Sequence, residues 1–209
     1  MTTVLLVRHG ATEWNIEKRA QGQSDIPLND LGRSQAREVA AALSGLDLAA
    51  VYSSDLARAR DTAEAIARVH GLEVTTDAAF REIDQGDWTG LTDVEIRRRW
   101  PDRWGVLRHH TARPRGESPE DVCRRALGGL RRVVTEHPEG VVVVVSHGAA
   151  IRTLAAEALG FRGRAAARVR GLANGGIVSV TAQADAAGVL LSDLQRWDGR
   201  APECNDPNQ

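Results

Sequence analysis

The stretch Val4-Leu5-Leu6-Val7-Arg8-His9-Gly10-Ala11-Thr12-Glu13-Trp14-Asn15 joins an apolar run to a cluster of polar residues near the start of the chain. The apolar run predicts a short buried strand. In open parallel α/β sheets, ligands bind at the carboxyl ends of strands, where this one reaches His9. A second apolar run, Val141–Val145, ends at Ser146-His147-Gly148. The two His-Gly ends predict two imidazoles held side by side.

Strand-like and helix-like segments alternate along the chain. The predicted elements are helices over about 30–43, 56–70, 93–100, 119–137 and 149–159, and further strands over 50–53, 72–75, 177–180 and 189–197. This alternation is typical of a three-layer α/β/α sandwich with a mostly parallel central sheet. We expect residues 1–197 to form a single domain, and the polar residues 198–209 to form a disordered tail.

Polar residues predict where helices begin and where the chain forms loops. Asn29 or Asp30 is expected to cap the first of these helices, and Ser54 or Asp55 the second. The polar segment 12–29 predicts a loop, and a loop of this length in a compact domain is usually functional.

Composition limits the kinds of partner. The chain carries 28 acidic and 27 basic residues, of which Lys18 is the only lysine, so net charge gives no reason to expect a nucleic acid or a membrane. The two cysteines, Cys123 and Cys204, do not suggest a disulfide framework. No apolar run approaches the ~18 residues of a membrane span, and no signal peptide is visible. We therefore expect a cytoplasmic protein.

The residues around the first His-Gly end favour an anion site. Arg8 offers a planar fork suited to phosphate, and Gly10 permits a close backbone approach to a ligand. A metal site of two histidines and one carboxylate is the alternative. The histidines lack short helical ligand spacing, and Arg8 would place a fixed positive charge beside the ion. We therefore expect no metal.

Six blocks in this order resemble the histidine phosphatase superfamily, in its phosphoglycerate mutase-like branch. They are Arg8-His9-Gly10-x-Thr12-x-Trp14-Asn15, Gln21-Gly22-x-x-Asp25-x-Pro27-Leu28-Asn29-x-x-Gly32, Ser53-Ser54-Asp55-Leu56-x-Arg58-Ala59-x-x-Thr62-Ala63, Arg81-Glu82-x-x-x-Gly86-x-Trp88-x-Gly90, Gly116-Glu117-Ser118 and Ser146-His147-Gly148, with Asn174 as a further element. The resemblance covers residues 4 to about 150, and it implies the phosphoglycerate mutase-like α/β fold.

The resemblance also implies roles for individual residues. His9 would be the nucleophile that takes the phosphoryl group, and Glu82 the general acid and base. The role of Glu82 requires a carboxyl group that holds a proton near neutral pH, which predicts a semi-enclosed position near His9. Asp84 is the second choice for the acid. The implied phosphate-binding positions are Arg8, Asn15, Gln21, Gly22, Arg58, His147 and Gly148.

The sequence departs from the pattern of cofactor-dependent phosphoglycerate mutases. These usually have Gly-Trp-x-Asp where this chain has Gly22-Gln23-Ser24-Asp25, and they carry a longer insertion before the second His-Gly. Both departures favour a phosphatase that uses no cofactor and acts on a small phosphorylated metabolite. A mutase, and a non-catalytic module that binds a phosphorylated ligand, are the alternatives. Residues 102–116 are a candidate lid, and a homodimer is expected from the general frequency of such assemblies.

Overall fold

One sheet forms the centre of the fold, seen in a computed structural model that describes residues 1–103, 111–161, 166 and 168–196. Within these residues six strands pair in the order β3-β2-β4-β1-β5-β6. The strands are β1 (Thr2–Arg8), β2 (Leu48–Ser53), β3 (Val74–Thr76), β4 (Gly140–Ser146), β5 (Ile177–Ala184) and β6 (Val189–Arg196). Strand β5 runs antiparallel to its two neighbours, and the other pairs are parallel.

Helices cover both faces of this sheet. The helices of the described residues are α1 (Glu13–Ile16), α2 (Asp30–Leu43), α3 (Ala57–His70), α4 (Asp93–Arg99), α5 (Pro119–Glu136) and α6 (Gly148–Ala158). Helices α2 and α3 pack on one face, and α5 and α6 pack on the other. The predicted three-layer α/β/α sandwich is confirmed.

The two central strands bury both of their faces. On β1, Val4 and Leu6 join the core under α5 and α6, whereas Leu5 and Val7 join the core under α2 and α3. The residues of β4 alternate in the same way, and residues 142–145 are 0% exposed. Because neither face meets water, these strands are continuous apolar runs in the sequence.

The segment predicted as one long loop contains a short helix. Helix α1 begins after Thr12, whose side chain accepts from the Asn15 amide, while the Asn15 side chain accepts from the Thr12 amide. This reciprocal capping box involves asparagine in place of the usual glutamate or glutamine. The cap predicted at Asn29 is confirmed, since its side chain accepts from the Gly32 amide at 2.9 Å.

The start of α3 differs from the prediction. Neither Ser54 nor Asp55 caps the helix, and the N-cap residue is Leu56, which has no capping side chain. The free amide of Ala57 instead donates to the carboxylate of Asp25 at 2.7 Å. The helix therefore receives its capping oxygen from a loop that is distant in sequence, and local pattern does not predict such a partner.

The structure describes none of the predicted tail and only part of the candidate lid. The tail, 198–209, and residues 104–110 of the candidate lid lie outside the described residues. Residues 111–116, the described C-terminal part of this segment, contact the domain, because the Asp87 amide donates to the Pro114 carbonyl at 2.9 Å. Within the described part of the chain, no helix is long and apolar enough to cross a membrane.

A substitution of Gly32, in the first turn of α2, tests how tightly the chain packs beside the first His-Gly end. A Cβ at this position would lie 2.0 Å from the Ala11 carbonyl oxygen, a backbone atom that cannot swing away. Gly32→Ala should therefore destabilise the protein by about 1–3 kcal/mol, measured by denaturant unfolding. Gly128→Ala is the matched control, because open space surrounds that helical glycine. It should stabilise by up to about 1 kcal/mol, and equal effects at both positions would contradict the steric explanation.

Candidate active site

Two histidines lie side by side where β1 and β4 end. The strands are parallel and pair Arg8 with Ser146, so the next residues leave the sheet at the same level. The amide of His9 donates to the Ser146 carbonyl at 3.0 Å, and the His9 and His147 ring centroids are 5.0 Å apart. The two residues are 2% and 0% exposed. The predicted juxtaposition of the two imidazoles is confirmed.

A backbone contact fixes the tautomer of His9. Its Nδ1 lies 2.6 Å from the carbonyl oxygen of Gly10. Because a carbonyl oxygen can only accept, Nδ1 must carry the proton and Nε2 keeps its lone pair. The ring therefore has Nε2 as its potential nucleophile.

The backbone around His9 is held by two side chains from distant parts of the chain. The Thr62 hydroxyl accepts from the Gly10 amide at 3.1 Å and donates to the Arg58 carbonyl at 2.7 Å. The Asn174 side-chain amide donates to the His9 carbonyl at 2.9 Å. Thr62 belongs to the third of the six sequence blocks, which indicated its place one turn after Arg58 but assigned it no role. These contacts orient the imidazole before any ligand arrives.

Two arginines lie at the same end of the sheet. Arg58, in the first turn of α3, is 0% exposed. It donates to the carbonyls of Gly22 at 2.8 Å and Ser24 at 2.7 Å. Arg8 is partly buried and donates to the Leu172 carbonyl. Both guanidinium groups are thus oriented by backbone carbonyls, without a carboxylate partner among these bonds.

Four buried nitrogen atoms of this site have no hydrogen-bond partner in the described part of the chain. They are Nε of Arg8, Nε of Arg58 and both ring nitrogens of His147. Buried polar atoms in native proteins are nearly always paired, so these atoms need a partner from outside the protein chain. Because the arginine atoms can only donate, the ligand that suits them is an anion.

Glu82 occupies a half-buried position at the start of α6. Its carboxylate accepts from the Ile83 amide at 2.9 Å, and its two oxygens lie 3.1 and 3.2 Å from the Ala149 amide nitrogen. Burial lowers the pKa of Arg58 to about 10 and lowers that of Arg8, while the Glu82 charge acts against both shifts. Glu82 therefore shares the site with the two arginines, in the semi-enclosed setting expected from the sequence.

Asn15 belongs to the framework of the site. Its side-chain oxygen accepts from the Thr12 amide at 3.1 Å and from Asn174 at 3.3 Å. With that oxygen engaged, the NH₂ group is the part of the Asn15 side chain that remains for an anion. The residue lines the cavity described below.

The other three predicted positions surround the arginines. Gly22 has φ of +52°, and its carbonyl accepts from Arg58. Gln21 is 8% exposed, and its side-chain oxygen is unpaired among the described residues. Gly148 begins α6 in contact with Arg8, where a Cβ would lie 3.5 Å from the guanidinium carbon. The structure thus brings all of the predicted residues to one end of the sheet.

The two histidines are neutral at neutral pH. Burial, and then the charges of Arg58 and Arg8, lower the pKa of His9 well below its ordinary value, although its contact with Gly10 acts in the opposite direction. Burial and Arg58 are also the largest causes that lower the pKa of His147. A neutral ring is the form in which a histidine nitrogen can attack an electrophile.

These shifts predict that the protein loses stability on acidification. Below ~6.5, the unfolded chain binds protons that the folded histidines exclude, so stability present above that pH is lost as the pH falls. Each ring should contribute up to about 1.4 kcal/mol per pH unit. Denaturant unfolding in phosphate-free buffer between about pH 7 and pH 5.5 measures the slope, which His147→Asn should reduce. An unchanged slope in that variant would contradict the assigned shift.

A cavity of about 330 Å³ opens beside the anion site, next to Arg8, Gly148 and Ala149. Trp14 and Trp88 form part of its wall. Its charged lining residues are Arg8, Lys18, Arg19, Arg113 and Arg152, with Asp93 as the acidic member. The cavity is therefore large enough for a small organic group, and its lining is predominantly cationic.

The metal-site alternative requires a donor set. Among the described residues, no group of three or more histidine, cysteine, aspartate or glutamate side chains could hold a metal ion. The histidines share their surroundings with Arg8 and Arg58 instead.

Comparison with known proteins identifies the family. The sequence pattern of the histidine phosphatase superfamily (branch 1) matches residues 4–194. "Uncharacterized phosphatase PhoE" of Bacillus subtilis is 38% identical over 160 residues, 77% of this chain and 79% of that protein. "Probable phosphoglycerate mutase GpmB" of Cronobacter sakazakii is 38% identical over 173 residues, 81% of this chain and 80% of that protein.

A solved structure agrees with these matches. Mycobacterial glucosyl-3-phosphoglycerate phosphatase in complex with VO3 superimposes with a TM-score of 0.85 at 32% identity, over 93% of this chain and 98% of that one. The chain therefore belongs to the histidine phosphatase superfamily. The resemblance that the six sequence blocks indicated is confirmed.

Proposed function

We propose that this protein hydrolyses phosphomonoesters of small metabolites through a phosphohistidine at His9, with Glu82 as general acid and base. One observation carries the proposal. The neutral ring of His9 keeps a lone pair on Nε2, within a buried set of unpaired donors that suits the phosphoryl group. Membership of the histidine phosphatase superfamily supports the same chemistry.

The first half of the reaction transfers the phosphoryl group to the protein. Nε2 of His9 attacks phosphorus, and the bond from phosphorus to the substrate oxygen breaks. Glu82, which must be protonated when the substrate phosphate binds, gives its proton to that oxygen, which leaves as an alcohol. Arg8, Arg58 and His147 hold the phosphoryl oxygens in place, and the Gly10 carbonyl stabilises the positive charge that the phosphorylated ring retains at Nδ1.

The second half returns the protein to its starting state. Glu82, now a carboxylate, takes a proton from water as the water oxygen attacks phosphorus. The bond between phosphorus and Nε2 breaks, inorganic phosphate forms, and His9 is neutral again. No metal or cofactor is needed for these steps, because the arginines supply the positive charge.

The cavity beside the site supports a leaving group that is itself anionic. Four cationic residues other than Arg8 line it, against one acidic residue. Lys18, the only lysine of the chain, is exposed at this cavity with φ of 56°, a backbone conformation that is uncommon for a non-glycine residue. We propose that a carboxylate or a second phosphate on the alcohol part of the substrate contacts this lining.

Incubation with 3-phosphoglycerate separates hydrolysis from mutase activity. We expect release of inorganic phosphate, because water is the acceptor in the proposed reaction. Formation of 2-phosphoglycerate without released phosphate would mean a mutase. Binding without either product, for this and every other phosphomonoester of a metabolite panel, would mean a non-catalytic module.

A matched pair of substrates tests the anionic leaving group. Phosphoserine and phosphoethanolamine differ by one carboxylate, and we expect kcat/KM to favour phosphoserine by about tenfold, the effect of a partly exposed charge contact of about 1.4 kcal/mol. Lys18→Gln should reduce that preference and leave phosphoethanolamine turnover nearly unchanged. Equal kcat/KM values for the pair would contradict the anionic preference, but not the phosphatase proposal. The cytoplasmic location and the homodimer stay predictions.

A further inference from the structure

Arg125, in the second turn of α5, makes five hydrogen bonds, as many as a guanidinium has N–H groups. Nε and Nη2 each donate to the Glu117 carboxylate at 2.8 Å. The other bonds go to backbone carbonyls, from Nη1 to Ala79 at 2.8 Å and Arg81 at 2.7 Å, and from Nη2 to Glu82 at 2.9 Å. Arg125 therefore binds the carbonyl of the proposed general acid and two carbonyls just before it.

Glu117 binds the backbone two residues after Glu82. Its carboxylate accepts from the Asp84 amide at 2.9 Å, and its own amide donates to the Asp84 carbonyl at 3.0 Å. The backbone of Glu82 thus lies between points fixed by Arg125 and by Glu117. We call these two residues the Arg125–Glu117 pair.

Glu82 does not belong to a strand or a helix, so no regular element fixes its position. Residues 81–85 have no regular structure and connect two short 3₁₀ turns, Ala78–Phe80 and Gly86–Trp88. The side chains of Arg125 and Glu117 are 21% and 23% exposed, so solvent screens their contact only in part. Burial alone would raise the pKa of Glu117, but the hydrogen bonds from Arg125 and Asp84 lower it below its ordinary value. The pair is therefore ionised at neutral pH.

We infer that the Arg125–Glu117 pair positions the Glu82 carboxyl group for proton transfer to the leaving group, and that it contributes little to phosphate binding. The inference rests on the proposed function. Arg125 donates to backbone carbonyls and to Glu117 with every N–H, so it has none left for the substrate. It acts through Glu82 and is a positioning residue.

The test compares two leaving groups in the full-length chain. Arg125→Lys keeps the charge, but an ammonium has three donors and no planar fork. We expect kcat/KM for phosphoserine to fall roughly ten- to a hundredfold, the effect of a displaced catalytic group. For p-nitrophenyl phosphate, whose leaving group departs without a proton, kcat/KM should change by less than about threefold. Inhibition by inorganic phosphate should be unchanged.

Arg124→Lys is the matched control. Arg124 is the preceding residue on α5, and it pairs with Asp121 at the surface with its side chain 75% exposed. This variant should leave kcat/KM unchanged for both substrates. Should Arg125→Lys fail to fold, Glu117→Gln provides the same comparison, because it removes the charge and one of the two acceptor oxygens of Glu117 and keeps the other.

The outcomes separate the inference from the function on which it rests. If Arg125→Lys lowers kcat/KM equally for both substrates, or weakens phosphate inhibition in parallel, its role is general stability and the inference is overturned. If Glu82→Gln itself shows no dependence on the leaving group, the acid role in the proposed function fails. If Glu82→Gln shows that dependence and Arg125→Lys does not, only the positioning role is wrong.

Discussion

His9→Ala is expected to lower kcat/KM by roughly 10⁴-fold or more for every phosphomonoester that the protein hydrolyses. The reason is that Nε2 of His9 is the proposed attacking atom, and the neighbouring imidazole cannot replace it without leaving its own position after β4. No acid-labile phosphate should be found on this variant. Turnover assays across a metabolite panel, with detection of labile phosphate after a short incubation, measure both effects.

Phosphate binding distinguishes loss of the nucleophile from loss of the site. His9→Ala leaves Arg8, Arg58 and His147 in place, so inorganic phosphate should still bind, as calorimetry can measure. His147→Asn is the companion variant. It removes one group that stabilises the transferring phosphoryl oxygens, so turnover should fall by roughly 10²–10³-fold while labile phosphate still forms at His9. Near-normal turnover in His9→Ala would refute the mechanism.

The parts of the fold that the sequence predicts are those set by local pattern. The apolar runs before His9 and His147 predict buried parallel strands, and the capping side chain of Asn29 predicts the start of α2. The site at the strand ends follows from the two His-Gly sequences. In each case, the residues that determine the feature are close together in the sequence.

The features that the sequence does not predict depend on contacts between distant segments. Helix α3 is capped by Asp25, a carboxylate that precedes the helix by more than thirty residues. Thr62 and Asn174 hold the backbone of the first His-Gly end only after the sheet has formed. Arg125 is one of many arginines on helix surfaces, and only its carbonyl partners distinguish it. Such partners are set by tertiary packing and leave no local periodic signal.

Glu82→Gln should reduce kcat/KM for phosphoserine by roughly 10²–10⁴-fold, the usual contribution of a general acid. The amide keeps an acceptor oxygen for the Ile83 and Ala149 amides, so the variant should fold and should bind phosphate. For p-nitrophenyl phosphate, kcat/KM should fall much less, because this constant reports phosphoryl transfer to His9 and that leaving group needs no proton. The kcat of the Glu82→Gln variant should fall for both substrates, because release of phosphate from His9 requires Glu82 as the base in each case.

Asp84→Asn is the control that assigns the acid to one residue. Asp84 is the nearest alternative carboxylate in the sequence, and its side chain accepts from the Gly86 amide at 2.9 Å. Asparagine can keep that acceptor, so this variant should preserve the turn and leave the leaving-group dependence unchanged. If Asp84→Asn shows the selective loss for phosphoserine and Glu82→Gln does not, the acid is Asp84. If Glu82→Gln lowers kcat/KM equally for both substrates, Glu82 acts on the phosphoryl group or the fold, and the proton must come from another group.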